Sequence, residues 1–127
     1  MNVGALVEDA KNIHDVRFHL DGERILLDAP ERPPTELLGL LQGHREEVRA
    51  WLKVEQARFA VRARVDQLLE AVPDHKKQWQ WDEMMEIEGA LSRAFDSGDS
   101  DRASAAIAEY ERQWTEVARA ATEAPTA

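Results

Sequence analysis

Four histidines are the first residues to weigh for chemistry: His14, His19, His44 and His75. Imidazole is the commonest metal ligand, but two of them serve one ion from a helix face only at His-x-x-x-His spacing. No pair here has that spacing, and no HExxH occurs. His44 falls on an apolar stripe and reads as a partly buried structural residue, while His14 and His19 flank a strand and point to opposite sides. Adjacent acids, Glu46-Glu47 and Asp82-Glu83, have the right groups for proton transfer. Catalytic carboxylates need a concave, partly desolvated setting, however, and these sit on solvated helix faces. Ser92, Ser97, Ser100 and Ser104 lie in no Gly-x-Ser-x-Gly context, and no glycine-rich phosphate loop is present. The expectation is a chain without catalytic residues, bound metal or cofactor, which works by binding.

Three groups of residues could bind a partner. Arg17, His19, Arg24 and Leu26 alternate along a short strand pair, and an edge strand offers unpaired N–H and C=O groups to an added strand. Their basic character suits an acidic segment. Trp79, Trp81 and Met85 form a possible second surface, since Trp is enriched at binding hot spots and Met adapts its shape. Trp79 and Trp81 are two apart, so a helix cannot place both on one face. Arg58, Arg62, Lys76 and Lys77, with Trp79 nearby, could contact single-stranded nucleic acid by charge and stacking. That defines the alternative function, an accessory nucleic-acid-associated protein of a plasmid, phage or other mobile element.

Charge weighs against the alternative. Sixteen basic and 25 acidic groups leave a net charge of −9 over 127 residues, whereas nucleic-acid and anionic-membrane binding depend on neutralising phosphate with Lys and Arg. Only the stretch 53–78 is basic, with 6 cations against 4 anions. No apolar run approaches the roughly 20 residues of a membrane span. The first residues carry acids where a secretory signal would have a basic region, and there are no cysteines to form disulfides. A cytoplasmic location is expected.

Short elements must position these groups. Val3, Leu6, Val7, Ala10 and Ile13 recur at helical spacing and predict a helix ending near His14. Asp21-Gly22 between two alternating runs predicts a hairpin with a type I′ turn. Leu20 then faces Glu23, Phe18 faces Ile25, and Val16 faces Leu27. Val16, Phe18, Ile25 and Leu27 form the apolar face, and Arg17, His19, Arg24 and Leu26 the other. Pro33-Pro34 forces an extended entry, with Thr35 as N-cap of a helix whose stripe is Leu37, Leu40, Leu41, His44, Val48, Trp51 and Leu52. Further helices are predicted over about 53–72, 81–95 and 101–121, the last capped by Ser100 or Asp101. The chain divides near Lys53 into a small module, residues 1–52, and a helical segment, 53–122, followed by a disordered tail at 123–127. The fold class is α+β and mostly α: a helix–hairpin–helix module followed by a helical hairpin or bundle.

Residues 6–52 also resemble a known module. "DVRFHLDGERILLDAP" and "PPTELLGLLQGHREEVRAWL" resemble the hairpin and following helix of the N-terminal docking domains of nonribosomal peptide synthetase subunits of the tubulysin type. The resemblance implies an αββαα fold, dimer formation and capture of the C-terminal segment of another subunit along the hairpin. The resulting expectation is an adaptor that binds an acidic partner segment on its hairpin edge and can form a homodimer.

Overall fold

The computed structural model describes residues 2–125. The elements run α1 (Val3–His14), β1 (Arg17–Asp21), β2 (Arg24–Asp28), α2 (Thr35–Gly43), α3 (Arg45–Glu70), α4 (Trp81–Asp96) and α5 (Ser100–Glu123), with a 3₁₀ turn at Asp74–Lys76. This is a mostly α, α+β architecture: helix, two-stranded antiparallel hairpin, helix, then a helical bundle.

Local chemistry sets the ends of α1. The Asn2 side chain accepts from the Ala5 amide at 2.9 Å, capping the N-terminus. Asp15 takes a left-handed conformation (φ 53°), and the next amide, of Val16, returns to the Ala10 carbonyl at 3.1 Å. Val16 therefore precedes β1 and, nearly fully buried, fills the corner between α1 and the hairpin. Val3, Leu6, Val7 and Ala10 are buried as the spacing requires, but Ile13, expected on the same stripe, is 69% exposed.

The hairpin turn lies one residue later than predicted. Asp21 pairs with Arg24, Leu20 with Ile25, His19 with Leu26, Phe18 with Leu27 and Arg17 with Asp28, so the loop is Gly22-Glu23. Only Gly22 has positive φ (61°), the pattern of a type II′ turn, which spares Asp21 the left-handed conformation a type I′ turn would impose. Each pairing moves by two positions, and an even shift leaves every side chain on its expected face.

Two further boundaries differ from the sequence reading. The long apolar stripe does not form one helix, because α2 stops at Gly43 and α3 restarts at Arg45. Gly43 weakens the junction, and Glu46 and Glu47 in the first turn of α3 favour a new helix N-terminus there. His44, at the joint, meets Glu47 Oε2 through Nδ1 at 3.0 Å. The caps also shift. Pro34 precedes α2, so Thr35 is its first residue rather than its cap, and Asp99, not Ser100 or Asp101, caps α5 by accepting from the Asp101 and Arg102 amides at 2.9 and 3.2 Å.

One apolar core runs through the molecule. It joins Val7 and Ala10 of α1, Leu37 and Leu41 of α2, Trp51, Val61 and Val65 of α3, Leu91 of α4, and Ile107 and Trp114 of α5. The division expected near Lys53 falls inside α3, which packs against α1, β1 and α5 alike. Trp51 links these parts: its ring meets Phe95 edge-on at 5.5 Å, and its Nε1–H donates to Glu55 at 3.0 Å. Of the tail expected at 123–127, Glu123 ends α5, and residues 126–127 lie outside the described residues.

Candidate functional site

A buried arginine fixes the hairpin to the helices. Arg49 lies on α3 and is only 9% exposed. Its Nε–H donates to the Glu23 backbone carbonyl at 2.8 Å, and its Nη1 reaches both Glu46 carboxylate oxygens at 2.9 and 2.8 Å. Lys53 adds a contact to the Glu23 side chain at 3.3 Å. The turn is thereby held from α3, whose packing against the sheet is on β1. β2 pairs only with β1, so its other edge carries no strand. Sequence reasoning missed Arg49, although its place beside Val48, on the flank of the apolar stripe, was a signal.

Beside β2 the surface opens into a groove of about 310 Å³. Its walls include four consecutive strand residues, Arg24 to Leu27, with Leu38 and Leu41 of α2 and Arg45 and Val48 of α3. Side chains alternate between faces of a strand, and the lining also takes in Phe18, which pairs with Leu27, so the groove reaches from the β2 edge to the apolar face of the hairpin. Leu26 and Leu27 are each 40% exposed there. Two cations and no carboxylate line the groove, in a protein of net charge −9. Neither Arg24 nor Arg45 enters an ion pair among the described residues.

The polar face of the hairpin carries acids beside the residues expected to bind. Arg17, His19, Arg24 and Leu26 are all exposed on it. The register, however, sets Asp28 opposite Arg17 and Asp21 opposite Arg24. Each of these arginines thus has an acid across the strands, whereas Arg45, which lines the groove with Arg24, has none. Arg45 was not among the residues expected to bind, because its nearness to β2 depends on the break at His44.

Across Phe18 from this groove lies a second depression, of about 320 Å³, lined by Leu20 and Leu52 with Phe59 at its rim. Phe59 is 80% exposed and escaped the sequence reading because it belongs to no apolar stripe. Trp81, 69% exposed, and Met85 lie one turn apart on α4, whereas Trp79 is half-buried before the helix begins.

The basic residues of the middle segment are dispersed. Arg58 lies over the Phe95 ring at 4.3 Å. Lys76 Nζ donates to the Thr122 carbonyl at 2.6 Å, tying the 3₁₀ turn to the end of α5, and Lys77 pairs with Asp74 at 3.2 Å. Arg62 is exposed on α3, one turn after Arg58. Twelve residues of helix, roughly 18 Å at 1.5 Å each, separate Arg58 from Glu70 at the end of α3, and both lysines lie beyond it. The four do not meet in one patch. Among the described residues no three His, Asp or Glu side chains gather as a metal would require, and no helix is long and apolar enough to cross a membrane.

The site is thus an open strand edge beside an apolar groove with a basic rim, on a helix–hairpin–helix scaffold backed by a bundle. Comparison with protein-family models, with curated proteins and with solved structures finds no match.

Proposed function

We propose that the protein is a non-catalytic adaptor that takes up an extended, acidic and apolar partner segment along the β2 edge. The observation that carries this reading is the groove lining: a strand edge, leucines and two unpaired arginines, without a carboxylate. A strand added to β2 gains main-chain hydrogen bonds, while alternate side chains reach Leu38 and Leu41 or meet the arginines. Acidic residues in the segment also speed the encounter through complementary potential. The resemblance of residues 6–52 to synthetase docking domains supports the same mode of binding.

Selection from a displayed library of random peptides tests it. The native protein should enrich sequences that alternate apolar and acidic residues, with micromolar binding confirmed by fluorescence anisotropy. Arg45→Glu should weaken the selected peptides about tenfold or more, since it sets like charges against each other at the rim. A library that yields no such peptide, or peptides indifferent to Arg45→Glu, would refute the docking edge.

A further inference from the structure

Helix α4 turns its largest apolar side chain outward. Trp51 and Trp114 are buried in the core, whereas Trp81 is 69% exposed. Met85, 43% exposed, follows one turn later, while Met84, Ile87, Leu91 and Ala94 carry the packing of the helix against the bundle. Trp81 and Met85 thus form a ridge on a face the bundle does not use. A ridge at i, i+4 spacing seats between the side chains of another helix. With its backbone bonds internal, α4 offers a partner side chains and no strand edge. Trp concentrates binding energy at interfaces, and Met adapts its shape to what covers it.

The ridge is set in negative charge. Asp82 and Glu86, one residue on from Trp81 and Met85, form the adjacent row of the same helix, and the first cation of α4 is Arg93. Asp82 enters no ion pair among the described residues, and Glu86 reaches only Arg93, at 3.4 Å. Lys76 and Lys77, the nearest cations before the helix in sequence, are engaged with the Thr122 carbonyl and with Asp74. The helix dipole favours Asp82 in the first turn, but it accounts neither for Glu86 nor for an exposed indole beside them. A partner's Lys or Arg can meet these carboxylates and lie over the Trp81 ring, where the cation–π attraction adds to the ion pairs. An acidic segment of the kind that suits the β2 groove is repelled here.

The two surfaces lie toward opposite ends of α3. Phe95 meets Trp51, early in that helix, while Glu88 accepts from Tyr110, the neighbour of Glu111, which pairs with Arg64 late in it. As residue numbers fall from Phe95 to Glu88, α4 therefore runs along α3 toward its C-terminal end, and Trp81 lies two turns further. Arg45 of the groove is the first residue of α3. From Arg45 to Arg64 alone the helix rises roughly 28 Å at 1.5 Å per residue.

We infer that α4 is a second docking surface, taking a basic amphipathic helix of another protein, whose apolar stripe covers Trp81 and Met85 and whose Lys or Arg side chains meet Asp82 and Glu86. The protein then joins two partners of opposite charge, one toward each end of α3. This surface lies outside the groove and does not depend on it.

Fluorescence anisotropy provides the test, with a labelled peptide of leucine and lysine whose leucines follow i, i+3, i+4 and i+7 spacing, in physiological salt. The native chain should bind it with micromolar affinity, and its tryptophan emission should shift to the blue as Trp81 is covered. A peptide of the same composition, scrambled to disperse the leucines, should bind about tenfold more weakly. Trp81→Ala, which leaves every charge in place, should also weaken binding about tenfold or more, and Trp81→Phe should recover part of the loss. Asp82→Asn with Glu86→Gln should cost about fivefold, whereas Glu8→Gln with Asp9→Asn, an equal loss of charge on α1, should cost little. A native chain that does not bind the peptide, equal affinity for the scrambled peptide, or binding unchanged in Trp81→Ala overturns the inference. Equal losses in the two charge pairs would do the same, by showing attraction to net charge instead of to this face.

Discussion

The Arg49 guanidinium donates to the Glu23 carbonyl at 2.8 Å and thereby fastens the turn of a two-stranded sheet to the longest helix. Two strands alone are only marginally stable in water. Phe18, Leu20 and Ile25 supply partial apolar burial beneath the sheet, and Arg49 adds a directional restraint at its far end. This restraint holds the turn, while α3 also packs on β1.

Removing that restraint should loosen the hairpin without unfolding the bundle. Arg49→Ala should cost roughly 1–3 kcal/mol, the range for hydrogen bonds to charged groups and for buried polar groups left unpaired. Arg49→Lys should recover only part of it, since an ammonium lacks the fork that serves Glu23 and Glu46 together. Amide hydrogen exchange would localise the effect: protection should fall over residues 18–27 more than in α5. Unchanged hairpin protection in Arg49→Ala would show that the turn is held by apolar packing alone.

The N-terminal cap and the α4–α5 turn should be coupled. The Asn2 side chain caps α1 and also donates to the Ser97 carbonyl at 3.1 Å. Gly98, at φ 70°, lies against it so closely that an added Cβ would fall 1.6 Å from Asn2 Oδ1. Gly98→Ala should therefore destabilise by roughly 2 kcal/mol or more through clash and left-handed strain. Asn2→Ala should cost about 1 kcal/mol through loss of the cap. In urea denaturation the double variant should be more stable than the sum of the two losses implies, because the second change removes the clash. Strict additivity would mean that the two sites do not touch.

Tyr110 should make the bundle sensitive to alkali. It is 4% exposed and donates through its hydroxyl to Glu88 Oε1 at 2.8 Å. Burial, first, and then the hydrogen bond to Glu88 push its phenol up to about 12 from the ordinary 10. The folded state thus holds the proton more tightly than the unfolded chain. The associated stability is complete below pH 10 and is lost as pH rises from 10 through 12, by up to about 2–3 kcal/mol. Tyr110→Phe should remove this slope in denaturation series taken across that range. A native chain and variant that lose stability in parallel would show that the phenol does not cause it.

Residue spacing alone determined much of this protein. The amphipathic stripes of α1, α4 and α5 place Val7, Leu91, Ile107 and Trp114 in the core, because helical periodicity expresses itself within one turn of chain. The two faces of the hairpin were likewise legible, since parity survives an even register shift. Turn type was not: whether Asp21 or Gly22 opens the loop depends on small differences in left-handed strain. The break at His44 was also hidden, because a continuous apolar stripe is compatible with one long helix or two. Arg45 lies with Arg24 in the lining of the groove beside β2. The positive rim of the groove therefore arises from residues about 20 positions apart in sequence, and no local pattern encodes their meeting. Periodicity decided most of which residues are buried, because it acts within one turn of chain; only the packing of α2 and α3 beside the hairpin decided that Arg24 and Arg45 line one groove with Leu38 and Leu41.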